Sequence, residues 1–476
     1  DAPYTIVATF EEGYTIDTWT TTDGELDNPT SPTTTYTVTD TATLSLTTKA
    51  ATLTTYTLDY DTDASSDTIP SSTATSYNAS YNFEITNVRP ALFGQSFIGW
   101  SETQGATTTD YTPGDTISLI NSDPDTITTV TKTLYAVYQE DTCSPGNICY
   151  FGNGAEAGVM TDQPASSNAN AILIPSNYSK SGYGFAGWLV TENGTPYGPN
   201  ATITTPDLST EGLKLYAKWI ASAGDFQTWT GCSTMQTGEI TALTDTRDGN
   251  VYTVAKLADG NCWTTENLRL DFKSATINAT NTNNPTADFI TKSTSAISSN
   301  TLCKANSSEC FDQIQFNSNN LNRSLTQSHN AESSSSAWYS YGTYYNWFTA
   351  TAGNGTYSST SSSTISGDIC PAGWHLPTGG SNGEYKDLNT AINNGSTSSD
   401  LNWRAYPNNF VWSGDYNGNK RTAGYVNARI WTSTAKDNNN AYRLGLDSIK
   451  TPIVTPTSNA YNKWDAFTVR CVKTNP

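Results

Sequence analysis

The chain of 476 residues carries few side chains able to do chemistry. Eight cysteines stand at Cys143, Cys149, Cys232, Cys262, Cys303, Cys310, Cys370 and Cys471, and the two histidines are His329 and His375. No C-x-x-C pair occurs, and two histidines are too few to make up for it in a zinc site. The cysteines therefore read as disulfides formed in an oxidising compartment. His375 lies in "GWHLP" (373–377) without a positioned Cys, Ser or second His to form a nucleophile and base pair, so it reads as a structural imidazole. Asp59, Asp61 and Asp63 imitate the first half of an EF-hand loop, but Ala64 replaces the turn glycine and Pro70 the bidentate Glu. Asp245, Asp248 and Asn250 in "DTRDGN" are explained by an Asp-Gly turn. No catalytic set, metal site or cofactor follows from these residues, and the expectation is a protein that is not an enzyme. One cluster invites a ligand. "FVWSGDYNGN" (410–419) combines Trp412, Asp415, Tyr416 and Asn417 beside turn-forming glycines, a mixture that stacks on sugars and hydrogen-bonds their hydroxyls. The competing reading is a hairpin tip with one aromatic anchored in the core.

Composition limits the partners. Asp and Glu outnumber Lys and Arg by 44 to 24, a net charge of -20, so the chain lacks the basic footprint that nucleic acid or anionic lipid requires. No stretch approaches the roughly 18–20 apolar residues of a membrane span, so direct membrane insertion of this segment is not expected. Thirteen Trp, 27 Tyr and 14 Phe supply the apolar faces that disordered chains lack. A start at Asp1 reads as a processed or excised piece, with any signal peptide, anchor or sorting signal removed or outside it.

The elements that hold these residues divide into two kinds. Through about residue 220, Thr alternates with apolar residues, as in "TYTVTDTATLSLTT" (35–48), the period-2 pattern of half-buried strands. A repeat runs through this region. "GYTIDTW" (13–19), "GQSFIGW" (94–100) and "GYGFAGW" (182–188) are followed by the strand signals "ATLSLTT" (42–48), "TLYAVY" (133–138) and "KLYAKW" (214–219). "YTPGDTI" (111–117) and "YGPNATI" (197–203) place a Tyr and a turn between them in the second and third units. Trp19, Trp100 and Trp188 read as core plugs. From Ala221 the composition changes. Residues 232–272 read as strands joined by Asp-Gly turns, with "ENLRL" (266–270) a short helix or strand, and 273–336 is a polar Asn/Ser/Thr insertion. Tyr341, Tyr344, Tyr345 and Phe348 sit at helical spacing ahead of Gly353 as a cap. A second helix is expected around 382–393, and strands around 410–412, 430–433 and 467–472.

The repeats resemble the Listeria/Bacteroides repeat, also called the internalin B-repeat, with the pattern Gly-Tyr-x-Phe-x-Gly-Trp, Tyr-x-x-Gly, Leu-Tyr-Ala-x-Trp. The third unit fits nearly residue for residue, the second has Gln95 and Tyr138 as departures, and the first fits loosely. This resemblance implies small β-grasp-like modules used as a surface stalk. Farther on, "DGNVYTVAKLADGNCWTTENL", "YYNWFTATAG", "CPAGWHLPT", "WTST" and "FTVRCVK" follow the order of motifs in the Fibrobacter major paralogous (FISUMP) domain, which this part resembles over most of 225–476. Tyr385 and the insertion at 273–336 depart from that pattern. The resemblance implies a C-type-lectin-like or formylglycine-enzyme-like α+β head, a bacterial cell-surface location and no settled activity. It also implies that Cys370 and Cys471 tie the final strand to a preceding loop. The coarse strand layout pairs Cys143 with Cys149, Cys232 with Cys262, and Cys303 with Cys310.

The expected fold is mainly β with an α+β C-terminal domain. Its parts are a partial repeat at 1–50, β-grasp-like repeats at 51–140 and 141–221, and the head at 222–476. The expected function is that of a non-enzymatic extracellular surface protein for adhesion or fibre building, with a carbohydrate-binding or enzyme-like head as the alternative. Partners would be glycans, a surface protein of another cell, or the chain itself head to tail. Units two and three spend a strand and hairpin before Gly94 and Gly182, whereas unit one reaches Gly13 after twelve residues. That leaves a sheet edge for a strand from a neighbour or from preceding residues.

Overall fold

A computed structural model describes residues 3–475 except 39, 64, 66, 124, 271–274, 288, 291–312, 315–340, 356–358, 360–363, 418–419, 423–426, 448–459 and 464. It is mainly β, and it forms two compact units, 1–140 and 141–476. No helix among the described residues is long and apolar enough to cross a membrane.

In the first unit, residues 51–140 form a sheet in the order Ser72–Ser76, Thr54–Asp61, Thr129–Glu140, Gln95–Ser101, beside the pair Ser80–Glu84 and Thr116–Ile120. The opening strand Thr54–Asp61 runs parallel to the closing strand Thr129–Glu140, and the Trp strand Gln95–Ser101 runs antiparallel to it. Alternate residues Tyr56, Leu58, Leu134 and Trp100 turn inward and are fully buried. The motif glycine has a local cause. The Trp strand bulges next to Gly99, which sits at φ +150°, where an added Cβ would lie 2.5 Å from the Tyr111 carbonyl oxygen. Freed of a side chain, the backbone lets Trp100 exchange hydrogen bonds with Tyr111 (2.9 and 3.0 Å).

Residues 141–221 of the second unit repeat this layout. The opening strand Asn147–Phe151 is parallel to the closing strand Leu213–Asp225, the Trp strand Tyr183–Leu189 is antiparallel to it, and Asn170–Ile172 pairs with Thr202–Thr204. Gly187 repeats the bulge at φ +140°, where an added Cβ would lie 2.5 Å from the Tyr197 carbonyl oxygen. Trp100 and Trp188 are fully buried, as core plugs should be, whereas Trp19 is half-buried.

The closing strand Leu213–Asp225 does not stop at the composition change. It continues past Ala221 and pairs in parallel with Ile240–Thr244, from which the sheet runs on through Val251–Lys256 and Cys262–Thr264 to Val472–Lys473. Two Asp-Gly turns join these strands as expected. Helix Glu384–Asn393 also forms where expected, ending at Asn394 in the left-handed region. The strand Asn427–Ala435 covers the expected 430–433 and pairs with Asn440–Asp447.

Four expectations are corrected. The aromatic run is not one helix. Tyr344–Tyr345 is extended, with Tyr345 bridged to Phe467, and only Trp347–Ala350 is helical, capped by the Asn346 side chain accepting from Thr349 N–H. Residues 266–270 are irregular, because Leu268 N–H is drawn to the Val469 carbonyl and Arg269 N–H to the Tyr252 hydroxyl. Residues 410–412 form a buried irregular segment, with Phe410 N–H donating to the Trp403 carbonyl. Toward the C-terminus, of 467–472 only Val472 lies in a strand, and 466–468 form isolated bridges. Most of the polar insertion at 273–336 lies outside the described residues.

Disulfides join Cys143 to Cys149, Cys232 to Cys262 and Cys370 to Cys471. The pair Cys303 and Cys310 lies outside the described residues.

Candidate functional site

Trp412 does not offer a face to a ligand. It is 3 % exposed, its indole N–H donates to Asp400 (2.7 Å), the Arg404 guanidinium lies 4.1 Å over its ring, and its backbone N–H donates to the Asn200 side chain (2.8 Å). The sugar-platform reading of Trp412 is therefore corrected: the ring is an anchor between the head and the third repeat. Asp415, Tyr416 and Asn417 form a strand paired with Lys420–Thr422, and their side chains lie outside the described residues.

His375 is held by pairing at both its backbone and its ring. Its N–H and carbonyl exchange bonds with Val472 (2.9 Å each), and Nε2 lies 2.8 Å from Glu384 Oε1. Glu384 also accepts from the Thr378 N–H and hydroxyl (2.8 and 3.0 Å), which pins the start of helix Glu384–Asn393 to the "GWHLP" loop. Burial opposes charge on His375, but Glu384 and Asp368 outweigh it and raise its pKa. Burial likewise works against ionised Glu384, and His375 with Thr378 lowers it regardless. Asp368, fully buried nearby, is pushed up to about 6 by burial, even though it accepts from Leu376 and Cys370 N–H and from Asn283. A cleft of about 410 Å³ opens over Asp368, His375 and Ser433.

Asp245 is also occupied. Its carboxylate takes bonds from Arg247 (2.7 Å at the terminal nitrogen) and from Gln227 (2.7 Å), and Arg247 continues to the Ile369 carbonyl (2.8 Å). Among the described residues no group of three or more His, Cys, Asp or Glu is placed to hold a metal ion.

A second cleft, of about 240 Å³, lies where the third repeat meets the head. Sequence reading missed it, because its walls come from five separated segments. Antiparallel register sets Phe185 opposite Trp219, their rings 5.8 Å apart and edge-on. Trp219 is fixed by its indole N–H donating to the Gly152 carbonyl (2.8 Å), and the Lys180 ammonium lies 4.5 Å over the Tyr183 ring. From the head come Glu266 and Arg269, paired at 3.2 Å. Glu266 also accepts from Thr253 N–H (3.0 Å), and Arg269 donates to the Val251 carbonyl (2.8 Å). Tyr183, Phe185 and Trp219 are half-buried and line the cleft beside charged hydrogen-bonding groups. The only sequence signal was Trp219 standing where the second repeat has Tyr138. Such a surface can stack on a flat apolar face and bond hydroxyls around it.

In comparison with known proteins, the chain matches no family model, no curated protein and no solved structure.

Proposed function

We propose that the chain is a non-enzymatic extracellular surface protein whose β repeats carry a disulfide-stapled head for adhesion or fibre building. One observation carries this reading. The third repeat and the head share the unbroken strand Leu213–Asp225, so they are joined by sheet pairing rather than by a linker. This construction suits transmission of load and not domain movement. The three disulfides favour an oxidising compartment. A hairpin–opening–closing–Trp strand order with a parallel central pair supports the β-grasp-like reading of the repeats. The α+β head, with Cys370 and Cys471 closing a separation of 101 residues, supports the lectin-like one.

A second reading has its own support. The cleft at Tyr183, Phe185 and Trp219 favours carbohydrate binding by stacking, with Glu266 and Arg269 as hydroxyl partners. One experiment tests both. The full chain is applied to a glycan array, and the supernatant is analysed for products by mass spectrometry. Retention of unmodified glycan supports binding, and Trp219→Ala should remove it. Release of cleavage products would overturn the non-enzymatic reading.

A further inference from the structure

Between the third repeat and the head, beside the cleft at Trp219, lies a smaller chamber of about 20 Å³. Tyr178, Phe185 and Glu266 line both, so the chamber and the cleft share a wall. The rest of its polar lining is deeply buried, with Ser176, Thr265 and Asn409 at 3, 1 and 2 % exposed and Arg470 at 0 %.

Other bonds hold these groups in place and leave particular atoms over. Asn409 takes a left-handed backbone (φ 52°), which Asn adopts more readily than most residues, and its Nδ2 donates to the Ala186 carbonyl of the Trp strand (3.2 Å). That bond sets the orientation of the amide, and its Oδ1 is buried and meets no donor among the described residues. Arg470 carries five N–H groups. Four reach acceptors, at Asn267 Oδ1 and the carbonyls of Thr264, Asn408 and Asn409, and the fifth, on Nη2, meets none among the described residues. Ser176 Oγ accepts from the Tyr178 N–H (3.0 Å), and its own proton has no acceptor among them either.

The chamber thus gathers one acceptor without a donor and two donors without an acceptor, a state that buried polar atoms rarely keep. Size and charge limit what can join them. The volume admits one water-sized group and excludes a second. A cation is repelled by the Arg470 guanidinium, which stays charged at neutral pH although burial lowers its pKa to about 9. An anion would satisfy Arg470 but would leave Asn409 Oδ1 facing another acceptor, with the Glu266 carboxylate on the shared wall. A neutral hydroxyl both donates and accepts, and it meets every demand.

We infer that this chamber is a hydroxyl site, in which one O–H group donates to Asn409 Oδ1 and accepts from Arg470 Nη2 and Ser176 Oγ. The group is supplied by a water molecule or by a hydroxyl of a ligand seated in the neighbouring cleft. The water form stands whether or not the cleft binds carbohydrate, and the ligand form rests on that reading. Either way the guest ties Ser176 of the third repeat to Asn409 and Arg470 of the head.

Crystals of the full chain diffracting to atomic resolution test the site. One oxygen peak is expected within hydrogen-bond distance of Asn409 Oδ1 and Arg470 Nη2. A second data set, after soaking in methyl α-glucoside, separates the sources. A solitary peak in both assigns the site to water, a peak continuous with the sugar assigns it to the ligand, and either upholds it. Crystals soaked in bromide should show no anomalous signal there. Val411→Ile asks the same question in solution, because Val411 lines the chamber and the added methyl takes up space without removing a polar group. Expelling the hydroxyl strands Asn409 and Arg470, so the urea midpoint of the second unit is expected to fall, whereas a dry chamber would be filled and the midpoint would rise. No peak at the site, bromide in its place, or a raised midpoint would overturn the inference.

Discussion

Charge placement in the head makes testable demands at single residues. His375 is held above its ordinary 6.5 and Glu384 below its ordinary 4.5, each against the effect of burial. The histidine contribution is complete below the unfolded histidine value and is lost as pH rises through the raised folded one. The glutamate contribution is complete above the unfolded glutamate value and is lost as pH falls through the depressed one. The pair therefore stabilises most between about pH 4.5 and 6.5. Asp368 faces the same ring with a raised pKa, so it subtracts stability as pH climbs from 3.8 to about 6, equally in parent and variant to a first approximation. Glu384→Gln is expected to cost about 1 kcal/mol or more near pH 5.5 and less at pH 8.5, followed by thermal melts across that range. A pH-independent loss would contradict the pairing. Arg470 makes a different demand. It is fully buried, stacks 4.0 Å over Phe410, and donates to Asn267 and to the carbonyls of Thr264, Asn408 and Asn409, with no carboxylate among these acceptors. Arg470→Met strands four acceptors and should cost about 3 kcal/mol or more in urea unfolding, with Arg470→Lys recovering only part because it lacks the planar fork.

Single strands explain why some elements could be read from sequence and others could not. The Trp strands were legible because their glycines are dictated by backbone geometry. Gly99→Ala, which meets the Tyr111 carbonyl at 2.5 Å, is expected to destabilise the first unit by about 2–3 kcal/mol. Gly94→Ala, at φ +87° with open space around it, should cost only about 1 kcal/mol. Comparing the two denaturation midpoints checks the bulge. Helix Glu384–Asn393 was legible as well, since it is amphipathic, with Tyr385 and Leu388 buried and Lys386 and Asp387 exposed. The aromatic run misled for the opposite reason. Every residue from 341 to 350 is buried, so spacing at 341, 344, 345 and 348 carries no information about a polar face. The cleft at Trp219 was illegible because Glu156, Lys180, Trp219, Asn250 and Glu266 meet only through strand pairing between distant segments. Trp412 misled because a local mixture of Trp, Asp, Tyr and Asn cannot reveal that Asp400 and Arg404 close over the indole.

Across the whole molecule, covalent reinforcement is uneven. All three described disulfides lie in 141–476, and the first 140 residues contain no cysteine. The Cys370–Cys471 bridge, with its separation of 101 residues, alone restricts the unfolded chain by about 4.7 kcal/mol in the chain-entropy account. Calorimetry of the intact chain should resolve separate transitions for the two units. Reducing agent should lower the one arising from 141–476 by many degrees and leave the other in place. A single transition that shifts as a whole would refute this division of stability.

The strand Leu213–Asp225 also sets what can be recombined. Residues up to 221 look like a finished repeat and residues from 222 like a finished head, yet cutting between them severs a strand and bares the edge of Ile240–Thr244. A head grafted onto another scaffold at that point would carry a sticky edge. Swapping, duplicating or shuffling this part of the chain, by an engineer or by recombination between genes, therefore has its natural seam at residue 141, with the third repeat travelling as part of the head.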